Sequence, residues 1–102
     1  MEFPLSTRIH DEGDSVVVTV SGDVDMAVAD PFSSALATAI ENATRAVVLD
    51  LADLRFMDST GVRALLYAQH NASANDLTFH IRNPSETVRR VLEVCGVLHT
   101  IR

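Results

Sequence analysis

No stretch of the sequence is apolar for long enough to cross a bilayer: its longest runs, "SVVVTV" and "AVVLDLA", fall far short of the ~20 residues that a spanning helix needs. Met1-Glu2-Phe3-Pro4 places an acid and a proline where a secretory leader requires a basic segment and an apolar core, so the chain is expected to be cytoplasmic, with no membrane role. Cysteine is nearly absent. Cys95, the only one, has no partner for an internal disulfide, and its apolar periodic position in "VLEVCG" predicts a small buried hydrophobe. The four histidines, His10, His70, His80 and His99, show neither HxxxH nor HExxH spacing, which argues against a zinc site or any other metal site. There is no GxxxxGK[ST] or GxGxxG loop to cradle a nucleotide, so no cofactor is expected, and no GxSxG elbow around a serine. Basic residues are also scarce. With 8 against 14 acidic residues and a formal net charge of −6, the chain lacks the clustered cations that nucleic-acid binding relies on. Arg82, Arg89 and Arg90, the nearest thing to a basic patch, are expected around the polar side of one helix.

What is present is an ordinary globular composition. The chain has 102 residues, 47% of them hydrophobic and 22% charged, which suits one domain over residues 1–102 with one modest core. Strand and helix periods alternate along it. "LSTRIHD" alternates and can pair with the β-branched run Ser15 to Gly22 across the polar turn Asp11 to Asp14. Ala29 to Ala43 places Phe32, Leu36, Ala39, Ile40 and Ala43 on one helical face, with Asp30-Pro31 as a first-turn signal. Ala46 to Leu51 reads as a strand, and "STGVRALLYAQHNA" as a helix with Val62, Leu65, Leu66 and Gln69 along one side. Leu77 to Ile81 is the next strand. "PSETVRRVLEVCG" then has Pro84 at an early helical position and Gly96 as its stop, and "VLHTI" is expected to add a closing strand. This order predicts an α/β domain with a mixed, mostly parallel sheet of about five strands and helices packed mainly on one face.

The chemistry concentrates in "RFMDSTGVRALL", Arg55 to Leu66, where an acid, two hydroxyls and a glycine join a strand to a helix. A serine nucleophile needs a positioned base. Asp58 is adjacent to Ser59, but neighbours on a turn point apart, and an aspartate rarely activates a serine without a histidine between them, so no catalytic residue and no enzymatic activity are assigned. A helix N-cap explains part of the motif: Asp58 or Ser59 can accept from a free first-turn amide, and Gly61 permits close packing. That leaves Thr60 without a requirement. Ser59 would then project at the positive end of a helix, where backbone amides and the dipole can hold an added phosphate.

These residues resemble a known family. "VVLDLADLRFMDSTGVRALL" is similar to the signature of the bacterial STAS domain, in which a strand of the form hhhDLxxhxFhD runs into [ST]-[ST]-G and a helix. "VSGDVD", Val20 to Asp25, resembles the family's second signature, and "IRNPSETVRRVLEVCGVLHTI" its last shared block. The resemblance covers nearly the whole chain, and the likeness is greatest to the small anti-sigma factor antagonists. It implies a non-enzymatic protein whose unphosphorylated form binds an anti-sigma factor that is also a serine kinase, which frees a sigma factor. It further implies phosphorylation at Ser59 as the off switch, a PPM-type phosphatase that reverses it, and a partner-binding surface of Asp23, Asp25, Asp58, Ser59, Thr60, Gly61 and Arg63. The alternative within the family is a non-phosphorylated docking module, such as an accessory subunit of an ABC-type phospholipid transporter or a stress-complex scaffold. One departure lies inside the motif: where relatives often read G-L-G, this chain reads Gly61-Val62-Arg63 and so places a long cation beside the proposed phosphoacceptor.

Overall fold

Two β-branched runs build the centre of the sheet in the computed structural model, whose described residues are 4–96. Strand β1 (Ser6–Glu12) turns back into β2 (Ser15–Val24) through Gly13-Asp14. Gly13 takes a φ of 71°, open to a residue without a Cβ, and this permits the tight antiparallel hairpin. A short 3-10 turn (Met26–Val28) leads into α1 (Ala29–Asn42), followed by β3 (Ala46–Met57), α2 (Ser59–Ala74), β4 (Thr78–Arg82) and α3 (Glu86–Val94). The strands lie in the order β1-β2-β3-β4, with β2, β3 and β4 mutually parallel. The sheet is therefore mixed and mostly parallel. It has four strands among the described residues; the closing strand expected over 97–101 lies outside them.

Alternate residues of the central strands, among them Val16, Val18 and Val20 of β2 and Val47 and Leu49 of β3, face the helices. The helices answer with Phe32, Leu36, Leu65, Val88 and Leu92 in one shared core. The opposite face carries the register row His10, Val17, Val48 and His80. Beside that row Arg82 bonds Asp50 at 3.3 Å and approaches Glu12 at 3.9 Å. Arg82 thus belongs to the sheet and does not share a helix with Arg89 and Arg90.

Several boundaries differ from the periodic reading, each for a local reason. β3 runs six residues past Leu51, because register shifts against β2 change its buried spacing from two to three, through Leu51, Leu54 and Met57. β2 likewise continues past Gly22, whose φ of 90° lies at one of those irregularities. In α2 the buried arc is Gly61, Val62, Leu65, Ala68 and Ala72, which leaves Leu66 on the exposed flank. Helix α3 starts at Glu86 behind a Ser85 cap, with Pro84 outside it, and ends at Val94. Cys95 is exposed rather than buried: it is the C-cap of α3, with its amide still bonded to the Val91 carbonyl at 3.1 Å, and it lies past Leu92, the last buried residue of the helix, where Gly96 at φ 73° closes it.

Leu49 is fully buried at the sheet centre, between Val18 and Ile81 in register. Leu49→Ala is expected to cost about 2–5 kcal/mol in urea unfolding with the slope unchanged, a large fraction of a domain's net stability.

Candidate functional site

The parallel strands β2 and β3 end side by side, with Asp23 opposite Phe56 and Val24 opposite Met57. Their exits are tied directly: the Asp58 amide donates to the Val24 carbonyl at 3.1 Å. This brings Asp23 and Asp25 to the same sheet edge as Asp58, Ser59, Thr60 and Gly61. The C-terminal edge of parallel strands is where open α/β sheets present their binding residues.

Asp58 organises this edge. Its Oδ1 accepts from the Thr60 amide at 2.9 Å and the Gly61 amide at 3.2 Å, and also from the Thr60 hydroxyl. Its extended backbone, with φ −98° and ψ −171°, is that of an N-cap residue. Partial desolvation, the largest single influence on this carboxyl, pushes its pKa up. The hydrogen bonds from the Thr60 hydroxyl, the Gly61 and Thr60 amides and the Met26 amide together outweigh it and hold the pKa below the ordinary aspartate value. Asp58 is therefore an ionised cap at neutral pH.

Two consequences correct the simple cap reading. Thr60 has a requirement after all, since its hydroxyl serves the Asp58 carboxylate. And the amides of the second and third helical residues are already taken, so they do not form an open cradle for a phosphate on Ser59. Ser59 itself is exposed, and its hydroxyl has no hydrogen-bond partner among the described residues.

Gly61 is buried where α2 crosses the strand ends. A Cβ there would lie 2.6 Å from Met57 Cγ and 2.8 Å from Val24 Cγ1. Asp25 is exposed and turns its carboxylate to the Ala27 amide at 3.0 Å, which caps the 3-10 turn. Asp23 Oδ1 is buried without a hydrogen-bond partner among the described residues. Arg63 is exposed one turn along α2 and makes no ion pair with Asp58 or any other described carboxylate.

The motif reading missed the apolar surroundings. Met26 is 77% exposed, Phe56 44% and Tyr67 70%. Tyr67 and Arg63 border a shallow cleft of about 280 Å³ between α1 and α2, lined also by Ala29, Ser33, Thr60 and Ala64. Tyr67 follows Ser59 by eight residues and Arg63 by four, a helical spacing that marks one side of α2 in the sequence. A hollow of about 470 Å³ along α3 contains none of the motif residues. Among the described residues no three His, Cys, Asp or Glu side chains converge as metal ligands, and no helix is long and apolar enough to cross a membrane.

The fold and this edge define a class: a single α/β domain that presents an acid-capped, serine-headed helix start at the ends of its parallel strands. The STAS domain family model matches residues 6–102, and the chain belongs to that family. It is 27% identical over 97 residues to the anti-sigma-B factor antagonist of Staphylococcus epidermidis, across 95% of this chain and 88% of that one. An anti-sigma factor antagonist from Mycobacterium paratuberculosis superposes with a TM-score of 0.87 at 24% identity, covering 96% of this chain and 83% of that one. SpoIIAA in its unphosphorylated form superposes at 0.80 with 25% identity, over 95% and 86% of the two chains. The Bacillus SpoIIAA in the phosphorylated form gives 0.73 at 24%, over 95% and 89%.

Asp58→Ala is expected to destabilise the fold by about 1 kcal/mol, as loss of a helix cap does. Because the folded-state pKa lies below the unfolded one, this contribution is complete above the unfolded value of about 3.9. It is lost as pH falls through the folded value. Unfolding curves of the two proteins should differ above pH 5 and converge in stronger acid. Gly61→Ala gains up to about 1 kcal/mol of helix propensity, but the contacts with Met57 and Val24 oppose it. Overpacking of this kind costs about 1–3 kcal/mol, so thermal unfolding should show a net loss.

Proposed function

We propose that the chain is an anti-sigma factor antagonist controlled at Ser59, acting in the cytoplasm as a ligand and substrate of other proteins and not as an enzyme. Its unphosphorylated form would bind an anti-sigma factor serine kinase at the edge formed by Asp23, Asp25, Asp58, Ser59, Thr60, Gly61 and Arg63. That binding would release a sigma factor. The kinase then transfers the γ-phosphoryl group of ATP to Ser59 Oγ: a new O–P bond forms, the bond to the ADP leaving group breaks, and the hydroxyl proton passes to a base of the kinase. A PPM-type phosphatase would restore the hydroxyl.

One observation carries this reading: of the two adjacent hydroxyls, that of Ser59 is exposed and has no hydrogen bond among the described residues, whereas that of Thr60 is engaged by the Asp58 carboxylate. Only Ser59 can enter another protein's active site without dismantling the cap. The exposed Met26, Phe56 and Tyr67 supply the apolar area that a docking surface requires. A phosphoserine adds about −1.5 to −2 charges beside the ionised Asp58. A hundredfold loss of affinity needs about 2.7 kcal/mol, within reach of burying that charge unpaired in an interface. The domain need not refold.

The test is incubation with anti-sigma factor kinases and ATP, followed by mass spectrometry of wild type, Ser59→Ala and Thr60→Val. Phosphate is expected on Ser59, absent from Ser59→Ala and retained in Thr60→Val. Calorimetry should show at least a hundredfold weaker kinase binding after modification. A kinase that binds the protein and leaves Ser59 unmodified would instead favour the docking module.

A further inference from the structure

We propose that Arg63 is the built-in counter-ion of a phosphoryl group on Ser59, an intrahelical clamp that forms only in the modified state; this rests on the reading that Ser59 is the phosphorylated residue. Three observations converge. First, the helix start does not hold the phosphate by itself, because Asp58 occupies the Thr60 and Gly61 amides and the Val62 amide donates to the Asp58 carbonyl. Of the first-turn amides only that of Ser59 is left. Second, Arg63 lies four residues after Ser59 on the same helix, with the anion toward the N-terminus and the cation toward the C-terminus, the favourable order for an i,i+4 pair. Third, Arg63 is exposed and has no ion-pair partner among the described residues. It is also the only arginine of α2 in a chain without lysine, and Arg55 on β3 already has an interaction of its own.

The acidic groups near the strand ends are Asp23, Asp25 and Asp58, of which Asp58 is ionised at neutral pH, and the cation on β3 beside them, Arg55, already has an interaction of its own. A dianion on Ser59 would therefore meet repulsion at the cap and attraction from Arg63 along its own helix. The guanidinium fork suits it, since two parallel N–H bonds can reach two phosphate oxygens. The switch then has two parts. Unmodified, Arg63 stands free beside Thr60 and Tyr67 on the α1–α2 cleft, available to a carboxylate of the partner. Modified, the same arginine turns to its own phosphate, so one reaction adds an anion to the docking surface and withdraws a cation from it.

Phosphoserine encoded genetically at position 59, with Arg63 intact and with Arg63→Gln, allows a direct test by phosphorus NMR titration. Asp58 is present in both proteins, so the difference isolates the arginine. With Arg63 the second phosphate pKa should lie about 0.3 unit or more below that of Arg63→Gln at low salt, and the gap should close in ~1 M salt. The Arg63 Nε–H resonance should also shift when position 59 carries phosphoserine rather than serine. A gap below about 0.2 unit, or an unmoved Nε–H resonance, overturns the clamp. Because the phosphoserine is installed during translation, such a result strikes the clamp alone, whereas failure of kinases to modify Ser59 strikes the reading beneath it.

Discussion

The Asp58 carboxylate is the interaction on which the functional edge depends. It caps α2 through the Thr60 and Gly61 amides and engages the Thr60 hydroxyl, while the amide of the same residue donates to the Val24 carbonyl at the end of β2. One residue thereby joins two strand ends and a helix, and several hydrogen bonds to its charged carboxylate outweigh the partial desolvation. The position of Ser59 follows from this. With the cap made by the preceding residue, Ser59 becomes the first residue of the helix and faces solvent with its hydroxyl uncommitted.

Packing beneath the loop enforces the same geometry. Gly61 sits so close to Val24 and Met57 that a single methyl group would intrude, so α2 descends onto the ends of β2 and β3 at a distance only glycine permits. Those ends are themselves aligned by the late register of the β2–β3 ladder, which carries β3 out to Met57. A rigid presentation of this kind suits the proposed role of Ser59, in which other proteins bind the unmodified residue and reject the phosphorylated one. The physical change required is local, since phosphate on an exposed first-turn serine alters charge and bulk without touching the core.

Much of the fold was legible in the residues. The β-branched runs, the helical spacing of Phe32, Leu36 and Ala39, and the strand–helix alternation together imply a mostly parallel sheet with helices on one face. What escaped was set by irregularity. Periodicity stopped β3 at Leu51 because bulges change the spacing of buried residues from two to three. It buried Cys95 because apolar spacing continues to the end of α3, whereas burial along that helix ends at Leu92. Within the site, the acids, hydroxyls and glycine stood out as a motif that also contains Phe56, but the exposure of Met26, Phe56 and Tyr67 did not, since the tertiary fold decides which apolar side chains are left in solvent.

By itself the sequence determined the order of elements, the family, and the identity of the helix start, because these depend on local patterns of polarity and on turn chemistry. Only the tertiary structure decided which hydroxyl is free. That choice rests on the Asp58 carboxylate reaching forward to Thr60, and on the β2–β3 register that sets the strand ends from which α2 starts. Arg63 shows the same division: its spacing from Ser59 is written in the chain, but its lack of an ion-pair partner among the described residues becomes known only once their carboxylates have been placed.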